Sequence, residues 1–246
     1  MTAGMMPAGE NDQGAANAAM PQPAPAFSAA PRSLIEELAA LRNPGPAPAG
    51  WMAMCGAFLA LSLIGVAIAC YTGWRDHGWP AEYLQDGQWG TWLSAGPLML
   101  SGLLGLGLAW RWRSLRRQRN FWLAAGLTLL FIAGDDLLRF HENFELMLVT
   151  RYDLPKEHPL VSRINDSVII LYGLIAAVYT YRNRQQLLRF PWACIALGIG
   201  GIWFAGMVIC DVLHISATVE ETMKVLATIC ILSAVLAIRR TADAWA

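Results

Sequence analysis

A chain of 246 residues that is 56% apolar and only 15% charged is too hydrophobic for an ordinary soluble domain. Its 18 basic and 18 acidic residues cancel, so no overall field draws in nucleic acid, and no nucleic-acid partner is expected. Cys55, Cys70, Cys194, Cys210 and Cys230 stand singly in apolar runs, without CxxC spacing or a secreted disulfide pattern, and read as small core residues.

Residues 1–50 open the chain with Ala, Pro, Gly, Asn and Gln and almost no bulky apolar side chains, a composition that predicts a disordered cytoplasmic tail. The tail lacks the charged start and continuous apolar stretch of a signal peptide. Within it, Ser33 is placed to cap a short amphipathic helix through Leu41, and Pro44, Pro46 and Pro48 stiffen the link to the first apolar run. Residues 51–240 form the expected transmembrane domain, and 241–246 a short second tail.

Trp51 to Tyr71 is uninterruptedly apolar and, at roughly 1.5 Å per residue, long enough for a hydrocarbon core of roughly 30 Å. Comparable runs occur at Thr91 to Trp110, Phe121 to about His141, Asp166 to Tyr181, Trp192 to Leu213 and Thr222 to Ile238. The predicted fold is therefore all-α and polytopic, with six transmembrane helices. Arg111, Arg113, Arg116, Arg117 and Arg119 mark the second connection, Arg182, Arg184 and Arg189 the fourth, and Arg239 and Arg240 the end. Positive charge on short loops stays inside, which places both termini in the cytoplasm of an inner-membrane protein. Trp74, Trp79, Tyr83, Trp89 and Trp92 then suit an outer interfacial belt. Gly102, Gly105 and Gly107, and Gly198, Gly200 and Gly201, are expected to let membrane helices approach closely.

Charge inside a span is costly, so each such residue needs a partner. Counted along straight helices, Asp135 and Asp136 lie about 21 to 23 Å from the cytoplasmic start of the third span, and Lys224 about 22 Å from the end of the sixth. Asp135, Asp136, Arg139 and Lys224 thus form a candidate buried ion-pair cluster or proton relay. The spacing also lets both carboxylates pair with Arg139 along their own helix.

The same count brings His141, Asp211, His214 and Glu221 to about 27 to 33 Å, one layer near the outer face. Asp211 and His214 are three apart, the spacing by which one helix gives a carboxylate and an imidazole to a metal in helical bundles. Two imidazoles with carboxylates suit a divalent iron, manganese or zinc ion. On this reading His141, Asp211, His214 and Glu221 hold the metal, and Glu142 or Glu220 accepts a proton from its bound water. The protein would then be a metal-dependent hydrolase or oxidoreductase acting on a lipid-like substrate among membrane lipids. Two other readings compete: a proton- or cation-coupled carrier or sensor using the Asp and Lys cluster, and a non-catalytic assembly protein. Asn165 and Asp166 are expected to cap the fourth span, and His77 and His158 to sit in loops.

Overall fold

A stretch of 27 residues, Trp51–His77 (α1), opens the helical part of the protein in a computed structural model that describes residues 46–48, 50–85, 87–152, 164–213 and 215–244. These residues fall in the unit Pro31–Ala246. Residues 1–45 of the expected tail, with the helix from Ser33 to Leu41, lie outside the described residues, as does His158.

α1 runs past Tyr71 to His77, and His77 therefore ends a helix instead of sitting in a loop. The Thr72 hydroxyl donates back to the Ile68 and Ala69 carbonyls, so this polar residue continues the helix. The stop comes at Gly78, left-handed at φ 71°, whose N–H bonds the Trp74 carbonyl. A single 3-10 turn, Trp89–Thr91, leads into α2, Trp92–Arg111. Gly90 in that turn donates to the Tyr83 carbonyl at 2.9 Å, an approach that no side chain would allow.

α3 spans Arg116–Leu138 and is followed by α4, Phe140–Tyr152. The break between them is Arg139, left-handed at φ 56°, whose N–H closes on the Asp135 carbonyl at 2.7 Å. This corrects the expectation of one helix from Phe121 to His141. It removes the basis for reading the depth of His141 and Glu142 along a straight axis.

α5 is Ile164–Arg182, so Asn165 and Asp166 occupy its first turn and not the position before it. A one-turn helix, α6 (Arg184–Leu187), precedes α7, Pro191–Val212, and α8, Ala217–Ala244. α8 begins well before Thr222; Glu220 in its first turn lowers hydropathy but suits the positive end of a helix. Among the described residues no strand occurs.

Among the described residues, five helical segments are long and apolar enough to cross a membrane: Trp51–His77, Trp89–Arg111, Arg116–Leu138, Pro191–Val212 and Ala217–Ala242. They make this a helical protein of multi-pass membrane type. α8 is the hub, 61% buried over its most apolar window against 11% for α1, and it packs on α1, α2 and α7. Much of the remaining apolar surface, including Leu61, Ile64, Leu127 and Ile202, is exposed as lipid-facing side chains are.

The tightest crossings are made by small residues, though only some of the expected ones. α2 and α3 meet where a Cβ on Gly102 would stand 2.9 Å from the Gly126 carbonyl, and one on Gly126 equally close to the Gly102 carbonyl. α7 meets α8 at Gly200, opposite Cys230 and Ala227. A Cβ on Gly198 or Gly201 would meet nothing within 4 Å, and one on Gly107 would meet the Arg239 side chain. Polar ties add orientation: Trp51 Nε1 donates to the Ser233 carbonyl at 2.7 Å, and Tyr179 on α5 donates to the Phe121 carbonyl on α3 while its ring stacks on Phe121.

Candidate functional site

The last turns of α3 and the first turns of α2 and α8 lie together at one end of the bundle, because α2 is antiparallel to α3 and closely packed on both neighbours. α3 delivers Asp135 and Asp136, which are 4% and 9% exposed. α8 delivers Lys224 and Glu221, one helical turn apart. α2 adds Ser94, which is fully enclosed.

Lys224 Nζ lies 2.9 Å from Asp136 Oδ1 and 3.1 Å from Glu221 Oε2. All three side chains are between 11% and 18% exposed, so the pairing takes place away from water. The second oxygen of Asp136 is used as well: Ser94 Oγ donates to Oδ2 at 2.5 Å. Ser94 Oγ is also 2.9 Å from the Thr91 carbonyl, and Thr91 in turn donates its hydroxyl to the Gln85 carbonyl. The 3-10 turn before α2 is thus wired to the charged centre.

Two carboxylates converging on one ammonium is a strong arrangement in a low dielectric, and a fragile one. Taking a partner from a buried pair strands a charge and costs about 3–5 kcal/mol. One turn before Asp135, Phe131 meets the ring of Tyr172 on α5 edge-on at 5.9 Å.

The structure joins Asp136, Lys224 and Glu221. Arg139 lies at the α3–α4 break, its side chain stem against Gly87. Asp211 is in the last turn of α7, which ends at Val212, and Glu220 is half-buried in the first turn of α8. His214, and the side chains of His141 and Glu142, lie outside the described residues. The helix bearing Asp211 ends at Val212, two residues before His214 in the sequence. Among the described residues no group of three or more His, Cys, Asp or Glu could hold a metal ion.

Ser94 and Thr91 complete the centre without standing out in the sequence, where a hydroxyl near the start of an apolar helix has no special mark. Their signal is positional. Residues early in the second span are level with residues late in an antiparallel third span, and that places Ser94 beside Asp136.

A bundle of membrane-crossing helices closed at one end by a carboxylate–ammonium–carboxylate unit defines a multi-pass membrane protein with a buried charged centre. Residues 14–238 match the model of a family described as a domain of unknown function, DUF8692, and the chain belongs to that family. No curated protein and no solved structure matches it.

Proposed function

We propose that this is a six-span inner-membrane protein, with both termini in the cytoplasm, that senses or carries protons or cations through Asp136, Lys224 and Glu221. The observation behind the charge-centre reading is the double engagement of Asp136, one oxygen on Lys224 and the other on Ser94. Ser94 has one hydroxyl proton and two acceptors within reach, Asp136 Oδ2 and the Thr91 carbonyl. With Asp136 ionised, the hydroxyl donates to the carboxylate. With Asp136 protonated, its O–H donates to Ser94 and Ser94 donates to Thr91. Both protonation states keep their hydrogen bonds, and a proton taken by Asp136 leaves Lys224 to Glu221.

The topology rests on the arginine bias and on the anchors beside it. Trp110 and Tyr181 are among the most exposed aromatics, and Arg113 and Arg184 lie over their rings at 5.5 and 4.8 Å. α5, at 19 residues, is about 28 Å long and supplies the sixth crossing.

The test is reconstitution of the full chain in vesicles, with internal pH and tryptophan fluorescence followed across a pH step. Asp136→Asn is expected to abolish the pH-dependent flux or spectral change while the protein stays folded. A full response from that variant would overturn the reading.

A metal-dependent hydrolase or oxidoreductase acting on a lipid-like substrate is the second reading. It is favoured by the short connection between α7 and α8, which keeps Asp211 near Glu220 and Glu221 in the chain. On this reading His141, Asp211, His214 and Glu221 bind iron, manganese or zinc, with Glu142 or Glu220 as the base. Its cost is that Glu221 must leave Lys224. Stoichiometric metal in protein purified without chelator, lost in His214→Ala, supports it; metal-free protein from undisturbed membranes removes it.

A further inference from the structure

Between the 3-10 turn and α3 lies a half-open cleft of about 390 Å³, lined by Gly87, Gln88, Trp92, Gly134, Leu137 and Leu138. Its size is within the roughly 300–1,000 Å³ of small-ligand sites. The walls come from the start of one membrane-crossing segment and the end of its antiparallel neighbour, so the cleft sits where hydrocarbon gives way to headgroups. Trp89 and Trp92, exposed beside it, are of the residue type that settles at this level.

The rim carries two left-handed residues, Gly87 at φ 80° and Arg139 at φ 56°. A Cβ on Gly87 would stand 2.8 Å from Arg139 Cδ and 3.6 Å from Nε, so the missing side chain is what lets the arginine stem pack against this wall residue. For arginine a positive φ is unfavourable, and the surrounding structure has to hold it there. On the far wall, a Cβ on Gly134 meets nothing within 4 Å, which leaves that side open.

We propose that this cleft holds one phospholipid, with its phosphate on Arg139 and Gln88 and an acyl chain along Trp92, Leu137 and Leu138. A guanidinium has five donors in a fork suited to phosphate oxygens, so it serves a headgroup alongside its contacts within the protein. The occupant is set by the surroundings: the cleft opens from a membrane-crossing helix pair whose neighbours are lipids, with an apolar floor and a cationic rim. The proposal needs only the membrane setting and holds whether or not Asp136 titrates.

The full chain, purified in detergent and incubated with phosphatidylglycerol, is analysed by native mass spectrometry during stepwise delipidation. The wild type retains one phosphatidylglycerol, diacylglycerol with the same chains is not retained, and inorganic phosphate does not displace the lipid. Gly134→Leu, which grows into the cleft, and Arg139→Gln each lower retention about fivefold or more, the weight of one charge-assisted contact. Gly201→Leu, at a helical glycine away from the cleft and also without neighbours within 4 Å, leaves retention unchanged. Thermal unfolding shows which variants are folded, and if Gly134→Leu is not, the headgroup comparison and Arg139→Gln decide. Equal retention of phospholipid and diacylglycerol, wild-type retention in the folded variants, or displacement by inorganic phosphate would overturn the proposal.

Discussion

Lys224 on α8 reaches Asp136 on α3 at 2.9 Å although the two are far apart in the chain, and in doing so ties the last span to the third. Lys224→Met leaves the Asp136 and Glu221 carboxylates buried without their ammonium, and should cost about 3–5 kcal/mol. Thermal unfolding in detergent should show the loss, and the double variant Lys224→Met with Asp136→Asn should regain part of it. A single variant as stable as the wild type would rule out a structural role for the pair.

Ser94→Ala removes the donor to Asp136 Oδ2 in an enclosed position. The expected loss is about 1.5–3 kcal/mol, the range for a hydrogen bond to a charged group. Ser94→Thr keeps a hydroxyl and should retain more stability than Ser94→Ala in the same unfolding measurement.

At the α2–α3 crossing, Gly126→Val would drive a side chain into the Gly102 carbonyl, which is backbone and has no flexible end to move aside. Destabilisation of about 1–3 kcal/mol or failure to assemble is expected. Gly198→Val, with open space around it, should be tolerated. Yield of monodisperse protein and melting temperature compare the two.

Whether α5 crosses the membrane has a parity test. Arg113→Cys and Arg184→Cys lie on the same side of the bilayer only if α5 spans it, since α3 and α5 separate them. In intact cells a membrane-impermeant thiol reagent should label Gln85→Cys and neither of the arginine replacements. Labelling of Arg184→Cys from outside would leave five crossings.

The five apolar segments were legible because a membrane demands long, continuous apolar runs, and hydropathy measures that directly. Helix ends were less so. The extension of α1 to His77 depends on Thr72 bonding backward, and the early start of α8 on acids tolerated in a first turn; both lower hydropathy without breaking a helix. The break at Arg139 had no signal: a left-handed arginine is disfavoured locally, and Gly87, which leaves room for its side chain, is distant in sequence. Level counting gave Asp136 and Lys224 a common height, because both lie inside unbroken helices. The same arithmetic does not extend to His141 and His214, which come after the ends of α3 and α7.

The most enclosed of these five helices is made after the other four. Asp136 precedes Lys224 by 224 − 136 = 88 residues, roughly 4 to 18 s of translation. For that interval the third span stands in lipid with an acid and no counter-charge from α8, so premature termination ahead of residue 224 removes the partner that lets the earlier helices close around it.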